Sequence, residues 1–329
     1  MYRLTNISDD PWTMGKFGGS PAAVEAFLGR TGLDGLELIR WGGAEEALPE
    51  VKIVGRHLSF WPTWLDFWRG DRAELLRQFG GEQQIKQYYR AATMEEFIEN
   101  YRRELEDAET LGARYVVFHV SHVELEHSFN YRFTYSDSEI AEAFAGFVNR
   151  VLNGKRYGFE VLMENHWFPG LTFLDNGVAR LLLDGVNADK KGLVLDIGHL
   201  MNTNTALESE PDAVRYIMDT LEKLDEPVRR AIRAIHLNSS LTGQYVRAAV
   251  GNVPPAPAGG YRERLLQAME HVGRIDRHKP FLHRSIGAVV ECVRPEYLVY
   301  ELAADTLEEL EGYVMAQNGA LGFEPSGVL

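Results

Sequence analysis

The chain has 329 residues, of which 45% are hydrophobic and 25% are charged, so its composition is that of an ordinary globular protein. No run of apolar residues is long enough to cross a bilayer, and we therefore expect no membrane partner. The formal net charge of −14, from 34 Lys and Arg against 48 Asp and Glu, opposes general binding to a polyanion such as DNA.

Short runs rich in β-branched residues alternate along the chain with amphipathic segments, and no linker separates two halves. We predict eight strands at Arg3–Ile7, Gly35–Ile39, Lys52–His57, Tyr115–His119, Glu160–Glu164, Leu193–Asp196, Ala234–Leu237 and Leu298–Glu301. We predict helices between them at Ala22–Arg30, Met94–Leu111, Glu139–Leu152, Ala213–Lys223, Arg262–Val272 and Leu307–Met315. The alternation favours a parallel (β/α)₈ TIM barrel, although an open doubly wound sheet would alternate in the same way.

Two of the predicted helices have a clear beginning. Thr93 precedes Glu96 by three residues, and Thr306 precedes Glu309 by three. This spacing is typical of a capping box, in which the two side chains satisfy free backbone N–H groups of the first turn.

Two segments exceed what a minimal barrel needs, residues 60–92 and residues 241–260. The first is rich in aromatic and basic residues, and the second contains a proline-rich run at 253–260. Segments of this length usually form lids or binding loops, so we predict both as loop insertions over the C-terminal face of one domain spanning 1–329. The aromatic run Trp61–Trp68 suits a homodimer contact, and a small hydrophobic subdomain explains it equally well.

Six of the eight predicted strands end in a side chain that can bind a metal ion: His57, His119, Glu164, Asp196, His236 and Glu301. Burying such groups without partners costs several kcal/mol each, so their repetition favours convergence on the rim of one barrel face. His199 lies just past Asp196, while Asp276 and His278 lie two apart on an extended segment and therefore point the same way.

The cysteine content limits the residues that can bind a metal ion. Cys292 is the one cysteine, so a metal site must use His, Asp and Glu. Oxygen and imidazole ligands suit Zn²⁺, Mn²⁺, Co²⁺ or Fe²⁺.

The N-terminal residues lack the pattern of a secretory signal, which predicts a cytoplasmic protein.

The strand-end motifs HLSF, HVSH, LMEN, LDIGH, IHLNSS, IDRH and VYEL, in that order, resemble the xylose isomerase-like barrel superfamily, and within it most of all the endonuclease IV family (AP endonuclease family 2). The resemblance spans roughly residues 35–302. It implies a three-metal site carried by His57, His119, Glu164, Asp196, His199, His236, Asp276, His278 and Glu301. The sugar isomerase and epimerase branch needs one metal ion, which the resemblance assigns to Glu164, Asp196, His236 and Glu301.

The loops after His57 and before Asp276 are longer than the endonuclease IV pattern, and they rise from the face where a duplex would lie. We therefore predict a metal-dependent isomerase or epimerase of a small sugar, sugar phosphate or polyol-like substrate. Glu164 and Glu301 would relay a proton through an enediolate, with one to three Zn²⁺ or Mn²⁺ ions. The alternative is a metal-dependent phosphodiesterase on abasic nucleic acid or a smaller phosphoester, which the full ligand set favours. A non-catalytic metal or sugar sensor is a third reading, one that has no need of two opposed carboxylates.

Further residues are predicted near the substrate: Trp61, His122, Asn165 and Asn238. Trp61 follows His57 at a place where the nuclease family has residues that wedge into the base stack. Asn165 and Asn238 follow predicted ligands and are expected to orient their neighbours. His166 is expected to contact substrate or to lie beside the ligands, and Glu37 is expected to pair with a cation.

Overall fold

Eight parallel strands close into a barrel in chain order, and the last strand pairs with the first. The computed structural model describes residues 1–40, 51–255 and 260–323. Its strands are β1 (Tyr2–Ser8), β2 (Gly35–Ile39), β3 (Ile53–His57), β4 (Tyr115–His119), β5 (Glu160–Glu164), β6 (Lys191–Asp196), β7 (Ile232–Leu237) and β8 (Tyr297–Tyr300). Each predicted strand coincides with an observed one to within two residues at either end, and the predicted TIM barrel is confirmed.

Helices connect the strands and surround the barrel. Those before β5 are α1 (Pro11–Lys16), α2 (Pro21–Thr31), α3 (Leu65–Arg69), α4 (Arg72–Phe79), α5 (Glu82–Tyr89), α6 (Met94–Thr110), α7 (Leu125–Asn130) and α8 (Asp137–Leu152). Those after it are α9 (Asn176–Gly185), α10 (Ile197–Asn202), α11 (Glu210–Lys223), α12 (Glu226–Ala231), α13 (Gly243–Ala249), α14 (Tyr261–Ile275), α15 (Ile286–Val293) and α16 (Leu307–Leu321). No helix in the described ranges is long and apolar enough to span a membrane.

The predicted capping boxes are half formed. Thr93 and Thr306 cap α6 and α16 as expected, since each hydroxyl accepts from the N–H three residues later, at 3.2 and 3.1 Å. The paired glutamates reach one residue further back than a capping box requires, because Glu96 accepts from the N–H of Ala92. Glu309 likewise accepts from the N–H of Asp305, so both glutamates bind the residue before the capping threonine.

Alternate strand residues fill the barrel interior with apolar side chains, as the two-residue period of a strand requires. This inner cluster consists of Leu4, Val54, Tyr115, Val117, Leu162, Val194, Ala234, Tyr297 and Val299. Gly55 leaves room for the ring of Tyr115, because a Cβ at that position would lie 2.2 Å from the ring. The opposite strand faces pack against the helices in a larger apolar layer. A filled interior closes the barrel below the strand ends, so polar chemistry is confined to one rim.

The segment 60–92, predicted as a loop insertion, folds into α3, α4 and α5. Its aromatic residues turn inward: Trp64 and Phe67 are each 6% exposed, and the rings of Phe67 and Tyr89 stack with centroids 4.0 Å apart. The run Trp61–Trp68 is therefore part of a packed hydrophobic unit and not an exposed contact surface, which removes the basis of the homodimer prediction. In the segment 241–260, α13 is ordered against α14, and residues 256–259 lie outside the described residues.

Candidate metal centre

The strand-end side chains converge on one rim of the barrel, as predicted. His57, His119, Glu164 and Asp196 are the last residues of their strands, and Glu301 directly follows β8. Asp196 also caps α10, since its carboxylate accepts from the N–H of His199 at 2.5 Å. The chain brings His199 to the same place through α10, and it brings Asp276 and His278 there through the segment after α14, in which His278 has a left-handed backbone with φ 45°.

Nine side chains form three groups in which the candidate ligand atoms lie within 4.8 Å of one another. The groups are His57, His119 and Glu164; Glu164, Asp196, His236 and Glu301; and His199, Asp276 and His278. Two further groups of possible ligands are Glu37, His57 and His236, and Asp66, His122 and Glu124. The first three groups contain the nine ligands that the family resemblance implied, and Glu164 belongs to two of them.

Glu164 is fully buried and both of its oxygens face imidazoles. Oε2 lies 3.1 Å from His57 Nε2 and 3.3 Å from His119 Nε2, and Oε1 lies 3.1 Å from His236 Nδ1. Two ligand atoms of a tetrahedral zinc ion with bonds of about 2.1 Å lie about 3.4 Å apart. The observed separations therefore match those of ligands that share an ion, and each oxygen of Glu164 serves a different group.

The group formed by His199, Asp276 and His278 contains one contact of that spacing and one shorter contact. Asp276 Oδ2 lies 3.3 Å from His199 Nε2 and 2.6 Å from His278 Nε2. The other nitrogen of each ring is anchored to a backbone carbonyl, at 2.8 Å to Asn165 O and at 3.1 Å to Glu301 O. A carbonyl can only accept, so Nδ1 carries a proton, and loss of the Nε2 proton would leave the neutral Nδ1–H tautomer with its lone pair toward the group. This tautomer is the one that metal-binding histidines adopt.

His57 and His236 are held in the same manner. His57 Nδ1 donates to the carbonyl of Leu58 at 3.2 Å, which leaves Nε2 free toward Glu164. His236 Nε2 lies 3.1 Å from Glu37 Oε2. The same oxygen accepts a hydrogen bond from the hydroxyl of Tyr115 at 2.7 Å. Glu37 therefore pairs with an imidazole, in line with the expectation of a cationic partner, and it orients the ring from outside the ligand groups.

Amide side chains position the carboxylates. Asn238 donates to Asp196 Oδ2 at 2.8 Å, and Asn165 accepts from the Asp196 N–H at 2.7 Å while donating to its carbonyl at 3.0 Å. Asn6 on β1 donates to Glu301 Oε1 at 3.0 Å. Asn165 and Asn238 thus orient a neighbouring ligand as expected, and Asn6 has the same role but no sequence pattern predicted it.

The buried carboxyl groups depend on positive partners. Burial raises the pKa of Asp196 to about 8, because the ionised carboxylate would be desolvated. Burial opposes charge on His278 as well, but the adjacent Asp276 carboxylate outweighs it and raises the pKa of the imidazole to about 10. Burial likewise disfavours ionised Glu301, yet His236 holds the pKa of that carboxyl well below its usual range. Protons on imidazoles thus neutralise carboxylates that a divalent cation would neutralise equally well.

The donor set fits divalent ions. It consists of carboxylate oxygens and imidazole nitrogens, the ligands that Zn²⁺ and Mn²⁺ accept in proteins. Two buried polar atoms of the set, His119 Nδ1 and Glu301 Oε2, have no hydrogen-bond partner. Glu301 Oε2 lies 3.2 Å from His236 Nδ1 without forming a hydrogen bond, so it is available to an ion bound between them.

A cavity of about 280 Å³ adjoins the ligand groups. Its polar wall consists of His119, His166, His199, Asp276, His278 and Glu301. The remaining wall is mainly apolar and comes from helix α14 and from nine other residues: Phe60, Pro62, Thr63, Val123, Glu124, Leu125, Ser128, Trp167 and Phe168. The cavity lies between the insertion and α14, so the helix after the segment 241–260 forms this wall, and none of the described residues of that segment lines it.

The residues predicted to bind substrate lie elsewhere. The indole of Trp61 packs edge-on against Phe97 and donates to the carbonyl of Tyr88 at 2.8 Å. His122 is fully buried and accepts through Nδ1 from the N–H of Trp64 at 3.2 Å. Neither residue, nor Asn165 or Asn238, is among the described residues that line the cavity. Their contact with substrate stays a prediction.

The sequence predicted one feature of the cavity only in part and did not predict another. His166 is 5% exposed and lines the cavity, with Nδ1 accepting from the N–H of Phe168 at 3.2 Å. Its proton is therefore on Nε2, which can donate to a ligand. Leu265, Ala268, Met269 and Val272 follow one face of α14 and line the cavity. Their helical spacing is visible in the sequence, but it is equally typical of a face that packs on the barrel.

The profile of the xylose isomerase-like TIM barrel family matches residues 30–286, most of the chain. The protein belongs to this family. A search of curated proteins found no match. The family assignment accounts for the closed barrel and for ligands at the strand ends, and it confirms the resemblance on which the sequence prediction relied.

Solved structures with the same barrel cover nearly the whole chain. Endonuclease IV from Thermus thermophilus is 15% identical over 98% of this chain and 100% of its own, with a TM-score of 0.51. A sugar phosphate isomerase/epimerase from Parabacteroides distasonis is 11% identical over 100% and 97%, with a TM-score of 0.47. Another Thermus thermophilus protein, soaked with ZnCl₂, is 19% identical over 97% and 98%, with a TM-score of 0.48. At 15% identity the similarity to the endonuclease IV structure shows the fold alone.

Proposed function

We propose that the protein is a metal-dependent phosphoester hydrolase that acts on a small substrate at a centre of up to three divalent ions. The observation that carries this proposal is the position of Glu164, whose two oxygens face different ligand groups at 3.1 to 3.3 Å. The third group is adjacent, since His199 Nδ1 lies 3.5 Å from Glu164 Oε1. A single-ion isomerase site has no need of a carboxylate shared in this way.

Divalent ions held by these residues would supply positive charge for phosphoryl oxygens and would lower the pKa of a water molecule. The chain itself contributes the rest of the arrangement. The ligand groups contain four buried carboxyl groups, so divalent ions bound among them would make the centre more favourable for an anionic phosphoester. His166 offers a neutral N–H donor beside the polar wall. The enclosing helices keep bulk solvent from the substrate, which strengthens electrostatic contacts with it.

Metal content and hydrolysis test the proposal together. We expect elemental analysis of the purified, metal-loaded protein to give close to three ions per chain, with hydrolysis of bis(4-nitrophenyl) phosphate. Asp276→Asn removes a ligand from the third group alone and should lower the content by about one ion. Glu164→Gln affects two groups, should lose more metal, and should abolish hydrolysis. One ion per chain in the unchanged protein, with no hydrolysis, would contradict the proposal.

A sugar isomerase or epimerase is the second candidate. The observation in its favour is that Glu164, Asp196, His236 and Glu301 form a complete four-ligand group by themselves. Glu301 also lines the cavity, where it can reach a substrate carbon. A panel of ketoses and their phosphates, assayed for C–H exchange in D₂O with Mn²⁺ or Zn²⁺, distinguishes the candidates. Exchange without phosphoester hydrolysis would favour the isomerase.

A further inference from the structure

The cavity beside the ligand groups has a wall unsuited to a sugar or to a second phosphate. Among the described residues that line it, none is a lysine or an arginine. The apolar portion includes Phe60, Trp167 and Phe168 together with the face of α14. A charged or richly hydroxylated group placed there would lose its hydration without gaining partners, at a cost of several kcal/mol.

The hydroxyl and carboxyl groups in this wall are engaged within the protein, and the indole Nε1 of Trp167, which has no hydrogen-bond partner, is buried. The hydroxyl of Thr63 donates to the carbonyl of Val123 at 2.6 Å, and the hydroxyl of Ser128 donates to the carbonyl of Leu125 at 2.7 Å. Glu124 accepts from Arg77, which approaches from outside the cavity. The wall thus presents hydrocarbon and one carboxylate to a ligand, and that carboxylate would repel an anionic group.

Aromatic rings line the cavity next to the ligand groups. Phe60 stacks on His119 with ring centroids 4.3 Å apart and planes inclined by 21°. On the other side, His166 stacks on Trp167 at 3.9 Å and 20°. Aromatic rings attract further rings in offset or edge-to-face arrangements, beyond the gain from burial alone.

We infer that the cavity selects a substrate whose reacting, oxygen-bearing end meets the metal ligands and whose other end is an uncharged aromatic group packed between Phe60, Trp167 and α14. The inference rests on the proposed metal centre and adds the substrate class to it. The volume of about 280 Å³ is near the lower end for small-ligand pockets and suits one substituted ring rather than a polymer.

Hydroxamates test this inference without requiring turnover, because their chelating group binds divalent metals whatever the reaction. The metal-loaded protein is titrated calorimetrically with acetohydroxamate, benzohydroxamate and 4-carboxybenzohydroxamate. We expect benzohydroxamate to bind roughly tenfold or more tightly than acetohydroxamate, since its ring leaves water for the apolar wall. The carboxylate of the third probe should remove that advantage.

A pair of variants on α14 provides the matched control. Met269 and Leu266 are both 57% exposed, but Met269 lines the cavity and Leu266 does not. Met269→Lys should reverse the preference, so that 4-carboxybenzohydroxamate binds better than benzohydroxamate. Leu266→Lys should leave the order unchanged. Circular dichroism checks that both variants are folded, and their surface position makes folding defects small.

Equal affinity for acetohydroxamate and benzohydroxamate, or no binding of benzohydroxamate, would overturn the inference. So would an identical response of the two lysine variants. Failure of the proposed reaction is seen separately: selective binding of the aromatic probe without phosphoester hydrolysis would contradict the hydrolase and retain the aromatic pocket. Hydrolysis without a preference for the aromatic probe would support the hydrolase and contradict the aromatic pocket.

Discussion

Individual residues of the centre are held by contacts that face away from it. His236 is the clearest case, because its inner nitrogen lies between Glu164 and Glu301 while its outer nitrogen lies 3.1 Å from Glu37. A histidine whose outer N–H is bound by a carboxylate keeps one tautomer and one ring orientation. The buried Glu37 is therefore a positioning residue for the ligand groups.

We expect Glu37→Gln to weaken metal affinity by roughly 10- to 100-fold, since the amide retains the size of the carboxylate but loses the charge that binds the imidazole N–H. Tyr115→Phe is the control, because it removes the other donor to Glu37 and leaves the contact with His236 intact. Competition with a chromogenic chelator measures both. Equal loss of affinity in the two variants would contradict a role for Glu37 through His236.

Short elements at the barrel rim also depend on close packing. Helix α10 begins directly after β6, and Gly198 in its first turn lies against the side chain that orients Asp196. A Cβ at Gly198 would come within 1.8 Å of Asn238 Oδ1. The glycine is required by this contact, because Asn238 could otherwise not reach the Asp196 carboxylate.

We predict that Gly198→Ala destabilises the protein by about 1–3 kcal/mol through overpacking and weakens metal binding by displacing Asn238. Gly273→Ala is the matched control, because this exposed glycine of α14 has no atom within 4 Å of the added Cβ. Alanine there should stabilise the helix by up to about 1 kcal/mol. Urea unfolding of both variants measures the difference. Unchanged stability in Gly198→Ala would contradict the prediction and show that the packing around Asn238 can shift to accommodate the added Cβ.

At the scale of the whole molecule, residues far apart in sequence meet at the ligand groups, so an ion bound there links many strands. We predict that Zn²⁺ or Mn²⁺ at about 100 times its Kd raises the free energy of unfolding by about 2.7 kcal/mol per site. Differential scanning calorimetry with and without EDTA should show a higher Tm for the loaded protein. Asp276→Asn should respond less than the unchanged protein. Identical Tm values with and without metal would contradict binding at these groups.

Net charge and shape together predict poor activity on nucleic acid. The chain carries −14, and the metal ligands lie beside a cavity with no basic residue among its described lining. We expect metal-loaded protein to nick duplex DNA containing an abasic site no faster than the Glu164→Gln variant. Nicking well above that control would show that the enclosing helices move aside for a duplex.

The strands and most of the ligand geometry were predictable from the sequence because both follow from local rules. A two-residue period identifies strands, and a barrel brings the C-terminal ends of parallel strands to one rim. Side chains such as Glu164 and Asp196, placed at those ends, therefore had to converge. Asp276 and His278 do lie together, although the backbone at His278 is left-handed and not extended as the prediction assumed.

The pocket itself was decided by tertiary packing. The aromatic run Trp61–Trp68 and the apolar face of α14 have the same local pattern, yet the first packs inward and the second lines the cavity. Helical periodicity identifies an apolar face but not the segment that packs against it, because the packing depends on contacts between segments distant in sequence. The amino-acid sequence thus determined the barrel and its ligand rim, and only the folded chain decided which walls a substrate meets.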